Sequence, residues 1–244
     1  MKPVFFPFVV VIALCTSALV AQQTPLKVAL STAFIPGIQA TGNVTWTYGS
    51  DQQTGTVTLQ ASANGQSQIQ LTLPAGTWTE TQSTATGFEG NCTWTGFDGV
   101  VHSRQSFNCW RGTVWFLPQI TSQAGPGWAD NVCTFASSTA GGGTFHCERH
   151  PQGKMSAKTA LLLAKISAYD LKVDSLGQPQ ALVFNDHPDN DSTVDIPTEI
   201  DFADYRPASG ALIPFHIQKF INHGLVLDLQ ITNVQISASL PSGS

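Results

Sequence analysis

The chain reads as a mainly β domain, an antiparallel meander with few short helices, on three observations. Short runs alternate apolar and polar residues with period two, so one face of each strand is buried and the other wet. Gly, Pro, Asn and Asp turn signals punctuate these runs at close intervals. Charged residues make up only 11% of the 244-residue chain, well below the roughly 25% of ordinary soluble domains. Thr, Ser, Gln, Asn and Gly carry the polar surface instead, which suits the wet face of a sheet and not a salt-bridged helix.

The elements follow in order. A helix over 26–34 ends at Pro36-Gly37. Val44 to Tyr48, Gly55 to Leu59, Gln68 to Leu73 and Gly76 to Glu80 alternate as strands. Gly49-Ser50-Asp51, Asn64-Gly65 and Pro74-Ala75-Gly76 turn the chain between them; Asn-Gly tolerates the positive φ that tight hairpins need. An aromatic block, Cys92 to Leu117, carries Trp94, Phe97, Phe107, Trp110, Trp115 and Phe116. Val132 to Phe135 and Thr144 to Cys147 are strands across a small-residue turn. Ala157 to Ile166 is the best helix. Strands resume at Ala168 to Asp174, Ala181 to Phe184, Thr198 to Tyr205, Leu212 to Phe220 and Leu225 to Ile236, with Asn222-His223-Gly224 as the final turn. Such a meander either pairs face to face or curls around its apolar face.

Met1 to Ala21 has the form of a secretory signal. Lys2 supplies the charged start, Val4 to Leu14 the apolar stretch, and Ser17, Ala18 and Ala21 the small residues near a cut after Ala21. The run is short for a membrane span of about 20 apolar residues. Leu14 precedes Cys15 where a lipid-attachment site wants a small residue. Residues 22–244 are then one domain, exported to the periplasm or beyond and not membrane-spanning after cleavage. In an oxidising compartment the even set Cys92, Cys109, Cys133 and Cys147 is read as two disulfides. Three pairings are possible; the sequential one, Cys92–Cys109 and Cys133–Cys147, staples two hairpins. Zinc is the rival reading, but no CxxC occurs.

The stretch from Ile196 to Arg206, ending Asp204-Tyr205-Arg206, leads into Gly210, Ile213-Pro214-Phe215-His216-Ile217 and Asn222-His223-Gly224. With Gly96-Phe97-Asp98-Gly99, His102, Asn108-Cys109-Trp110, Trp115 to Pro118 and the Gly177-Gln178-Pro179 turn, this cadence resembles secreted bacterial proteins of the lipoprotein-localisation carrier (LolA/LolB-like) superfamily. The resemblance implies a strongly curved antiparallel sheet, a half-barrel, with helical elements over an apolar hollow that takes a lipid or lipoprotein. The chain departs from the pattern in having few lid helices and extra cysteines.

The acidic balance, a formal net charge of −5 that loses Lys2 with the signal, argues against nucleic acid as a partner. His146 and His150 lie four apart, a metal spacing only on a helix, and their segment reads as strand into loop. Asp186 to Asp191 suggests a calcium loop but lacks its Gly and distal Glu, so Asx turns are the simpler reading. No Gly-x-Ser-x-Gly elbow is present, and Glu80, Glu89, Glu148 and Glu199 cannot be paired from sequence. The chain is therefore not read as an enzyme, and no metal or cofactor is expected. The aromatic-rich strands carry the binding expectation: Trp46, Tyr48, Leu59, Leu71, Trp78, Trp94, Trp115 and Phe116 either wall a ligand site or fill a core. Three roles follow: a lipid-binding envelope protein, a structural or interaction module of the envelope with a filled core, or a carbohydrate-binding module with Trp on the wet face. Val44, Trp46 and Tyr48 share a face, which places Trp46 inside.

Overall fold

The computed structural model describes residues 36–62, 66–82, 92–104, 131–139, 141–150 and 155–236. The signal segment, the expected helix over 26–34, the Asn64-Gly65 turn, Glu89, Cys109, Trp110, Trp115 and Phe116 lie outside them. The strands are β1 (Gly37–Tyr48), β2 (Asp51–Ser62), β3 (Ser67–Leu73), β4 (Gly76–Gln82), β5 (Cys92–Thr95), β6 (Val101–Ser103), β7 (Asn131–Thr139) and β8 (Gly142–Arg149). Helix α1 (Ala157–Ser167) follows, then β9 (Tyr169–Asp174), β10 (Pro179–Asp186), β11 (Ile196–Ala208), β12 (Ala211–Ile221) and β13 (Gly224–Ile236).

Among the described residues, thirteen strands form one antiparallel sheet in the order β6-β5-β4-β3-β2-β1-β13-β12-β11-β10-β9-β8-β7. Two meanders therefore run outward from a central seam, where β1 pairs with β13. This corrects the expected half-barrel. The sheet is neither closed nor strongly curled. Its two outermost strands, β6 and β7, do not pair with each other, and the broad contacts run between hydrogen-bonded neighbours. A sheet of more than about ten strands must curl, split or flatten, and this one stays open.

The local chemistry explains the pairing. Gly49 turns β1 into β2 with φ +60°, the geometry of a two-residue hairpin whose first turn residue is glycine. Asn222 and His223 both have positive φ, at 48° and 64°. They form the primed turn that joins Ile221 to Gly224. Asp174 Oδ1 accepts from the backbone N–H of Leu176 (2.8 Å) and Gln178 (2.9 Å) and so holds the β9–β10 turn. On α1, Ser156 Oγ accepts from Thr159 N at 3.0 Å, an N-cap that satisfies one orphan donor.

One face of the sheet is the core. Ile38, Ala40 and Val44 on β1 join Val57, Leu59 and Ala61 on β2. Ile69 and Leu71 on β3 and Leu227, Leu229 and Ile231 on β13 continue it. Ile213, Phe215 and Ile217 on β12, with Ile200 and Phe202 on β11, extend it past the seam. On the other face, Thr56, Thr72 and Thr77 align across β2, β3 and β4, and Thr58, Gln70 and Thr79 form a parallel row. Such Thr and Gln ladders stabilise a wet face without charge, which accounts for the low charged content. Helix α1 packs near β8 and buries Ala164, Ile166 and Ser167.

Cys133 and Cys147 sit opposite each other on β7 and β8 and are disulfide-bonded, with Cα atoms 4.0 Å apart. Cys92 is also disulfide-bonded; its expected partner, Cys109, is not among the described residues.

Candidate functional site

Period-two geometry carries the core face outward along β1 from Val44 to Trp46 and Tyr48. Burial falls along that line: Val44 is buried, Trp46 half-buried and Tyr48 76% exposed. The same face on β3 carries Leu71, and its cross-strand partner on β4 is Trp78. Two residues on from Trp78, Glu80 occupies the same face. Beyond it, Trp94 pairs with Glu80 and His102 pairs with Trp94. On the far side of the seam, β12 brings Lys219 opposite Leu227.

These strands frame a half-open cleft of about 230 Å³. Its wall is Trp46, Thr47 and Tyr48 from β1, Leu71 from β3, Trp78 and Glu80 from β4, and Arg104 just after β6. Lys219 and Ile221 from β12 and Val226 and Leu227 from β13 close the other side. Strict alternation would not let Val226 and Leu227 both line one cleft. A β-bulge permits it: the register passes from Lys219↔Leu227 to Phe220↔Leu225, so Val226 is an extra residue on β13. Bulges re-aim side chains in this way.

Aromatic contacts brace the wall. Trp46 lies 4.8 Å from Phe97 and 6.2 Å from Tyr48, centroid to centroid, both tilted. Such tilted pairs fix ring orientation beyond what area burial provides. Arg104 Nη2 donates to Glu80 Oε2 at 3.2 Å, and both side chains are largely buried, at 25% and 13% exposure. The Arg104 N–H also donates to the Cys92 carbonyl at 2.9 Å, so the disulfide-bonded strand β5 positions the guanidinium.

Of the expected wall residues, the fold brings Trp46, Tyr48, Leu71 and Trp78 together. Leu59 is 2% exposed between Ala40 and Ile69, a core residue and not a lining one. Trp94 stacks on His102 at 4.1 Å and lies beside the cleft without lining it. Trp46 and Trp78 occupy the core face, whereas a sugar-binding platform needs them on the wet one. Reading the sequence did not single out Arg104 or Lys219. Lys219 had a signal: it interrupts the alternating apolar positions Ile213, Phe215, Ile217 and Ile221.

The remaining constellations resolve into local structure. His146 Nδ1 meets Asp170 Oδ1 at 2.7 Å, and His150 Nε2 meets Glu148 Oε1 at 2.7 Å. Among the described residues, no group of three or more His, Cys, Asp or Glu side chains is placed to hold a metal ion. Asp191 Oδ1 accepts from Thr193 N and Oγ1, at 2.9 and 2.6 Å, which is an Asx turn. These bonds hold the Asp191 carboxyl below its usual range. Glu80, Glu148 and Glu199 stand on well-separated strands, β4, β8 and β11. Asp204, Tyr205 and Arg206 lie within strand β11. The Arg206 guanidinium bonds Asp204 through Nε and Nη2, which holds the Asp204 carboxyl below its usual range. Arg206 also lies over the Phe215 ring at 4.6 Å, and Tyr205 Oη donates to the Pro179 carbonyl at 2.6 Å.

The fold is similar to that of three solved structures. A domain from Vibrio parahaemolyticus described as outer membrane lipoprotein-sorting matches with a TM-score of 0.56 at 10% identity, covering 89% of this chain and 91% of that one. A LolA superfamily protein from Nitrosomonas europaea matches with a TM-score of 0.55 at 12% identity, covering 89% and 96%. A DUF1329 family protein from Desulfovibrio piger gives 0.55 at 11% identity, covering 88% and 90%. No protein-family model matches the sequence, and no curated protein matches it. Likeness at this identity concerns the fold; function must be argued from the cleft.

Proposed function

We propose that this is an exported, non-catalytic protein of the cell envelope that binds a lipid or a lipidated partner through the Trp46–Trp78 cleft. The observation that carries the reading is the cleft itself, where Trp46, Tyr48, Leu71, Trp78, Val226 and Leu227 converge on one opening. Apolar walls with a few polar groups are the usual make-up of a small-molecule site. Export is supported by the signal-like Met1 to Ala21 and by the disulfides at Cys92 and Cys133–Cys147. No helix among the described residues is long and apolar enough to cross a membrane. A non-catalytic role is supported by the lining, which among the described residues holds no Ser, Cys or His and in which the Glu80 carboxylate is engaged by Arg104.

Volume limits the cargo. About 230 Å³ falls below the roughly 300–1,000 Å³ of clefts that enclose drug-sized ligands. One acyl chain or part of one fits; the several chains of a whole lipoprotein anchor do not.

Native mass spectrometry on protein secreted into a Gram-negative periplasm tests the proposal. It predicts a releasable lipid adduct, depleted in Trp78→Ala. A reproducibly bare mass, with no uptake of a fluorescent fatty acid, would sink it.

A further inference from the structure

The two ends of the sheet are finished differently. Strand β6 has three residues, Val101–Ser103, and so short an edge templates little pairing. Strand β7 has nine, Asn131–Thr139, with no charged residue and no proline among them. Among the described residues it pairs with β8 alone. Val132 and Thr134 to Ser138 are exposed, so this length of edge is open to solvent. Natural sheets guard such an edge with charge, proline, shortness or a bulge. Here the one guard is the bulge at Ala136, where the register passes from Phe135↔Phe145 to Ser137↔Thr144. A bulge bends and twists the strand without covering it.

The backbone of Phe135 faces outward. Cys133 and Cys147 stand opposite each other with Cα atoms 4.0 Å apart, the close spacing of a pair that exchanges no ladder hydrogen bonds. Phe135↔Phe145, two residues on, is a pair of the same kind, so the N–H and C=O of Phe135 point away from β8. Its ring is 43% exposed and meets buried Phe145 edge-on, with centroids 5.4 Å apart. An extended chain is the partner that matches such an edge bond for bond. Strand β7 carries no charge to select a foreign segment. A second β7 matches it in length and lacks the charge that would repel it, in a chain of formal net charge −5. About a two-fold axis at Phe135, two antiparallel β7 strands set Phe135 against Phe135, an aromatic cross-strand pair.

We propose that two copies of this chain dimerise through β7 and join their sheets into one continuous antiparallel sheet. The pairing uses up the β7 edge of both copies and leaves the short β6 edges outside, so association stops at two. It goes beyond the cleft and does not depend on what the cleft binds.

Sedimentation velocity of the full secreted chain at rising concentration tests the proposal. A reversible monomer–dimer equilibrium is expected, with a dissociation constant on the order of micromolar for a small interface. Phe135→Lys and Phe135→Glu should each weaken dimerisation by about tenfold or more, and a one-to-one mixture of the two should regain it, because opposite charges then meet across the axis. Thr134→Lys, which leaves the Phe135–Phe145 contact in place, should weaken it likewise, so the test survives if the Phe135 variants fold poorly. Val101→Lys, on β6, should dimerise like the parent. A parent that stays monomeric, growth beyond the dimer, loss of the dimer in Val101→Lys, or lysine at Phe135 and Thr134 without effect overturns the proposal. So does a mixture of folded Phe135→Lys and Phe135→Glu that stays monomeric.

Discussion

Gly42→Ala tests the central seam, on which the whole sheet depends. At this position β1 shifts register against β13, from Thr41↔Asn233 to Gly42↔Ile231, so Thr232 is an extra residue on β13. Thr232 Oγ1 donates to the Thr41 carbonyl at 3.2 Å and fixes the bulge. The bulge pushes the β13 backbone against Gly42. A Cβ there would lie 2.2 Å from the Gln230 carbonyl oxygen and 2.8 Å from Ile231 Cα. Both are backbone atoms, and ordinary contact begins at 3.4 Å, so the strands must part by about 1 Å. Overpacking of this kind costs about 1–3 kcal/mol, sometimes more; with the β1–β13 ladder disturbed as well, about 3 kcal/mol is expected. For a domain of this length that lowers Tm by roughly 6–12 °C. The assay is paired thermal and urea unfolding against Gly141→Ala, where a new Cβ meets nothing within 4 Å. The control should stay within about 0.5 kcal/mol of the parent. If Gly42→Ala is as stable as the control, the close approach at the seam is wrong.

Two further outcomes follow from the same structure. The Cys133–Cys147 bridge closes a separation of 14 residues, so Cys133→Ser with Cys147→Ser should cost about 3 kcal/mol in urea unfolding, and amide exchange should rise first in β7, the outermost strand. Asp201 has its carboxyl pushed up, chiefly by burial and then by Glu199, with Lys172 opposing. A raised folded-state pKa favours the native state at low pH and is a burden above it. Asp201→Asn should therefore add a few tenths of a kcal/mol at pH 7, kept small by solvent exposure. The gain should vanish as pH falls below the usual carboxylate range of about 3.9, and a gain that grows on acidification would contradict the assignment.

Alternation made the strands legible. Gln68 to Leu73 and Leu225 to Ile236 reappear almost residue for residue as β3 and β13, and the helix expected at Ala157 forms, with Ser156 as its cap. Ends were harder to see. Strand β1 begins at Gly37, well before Val44, because Ala40 and Gly42 are small and mute the apolar signal. Strand β11 runs through Pro207 to Ala208, although proline usually marks a strand's limit. Sheet shape was not legible at all: period two says which face is buried and nothing of curvature, and the half-barrel came from the family resemblance. Of the expected wall, Trp46, Tyr48, Leu71 and Trp78 line the cleft, while Trp115 and Phe116 lie outside the described residues. The cleft's charged side chains did not emerge, because Lys219 and Trp46 share a cleft only through the central β1–β13 seam, a pairing of strands far apart in sequence that no local pattern announces.

Tryptophan quenching by a bromine-labelled dodecanoate tests most directly that an acyl chain enters this cleft. Bromine quenches only the indoles it touches, so the account predicts strong quenching in the parent and little in Trp46→Phe with Trp78→Phe. Equal quenching in both proteins, or none in either, would contradict it.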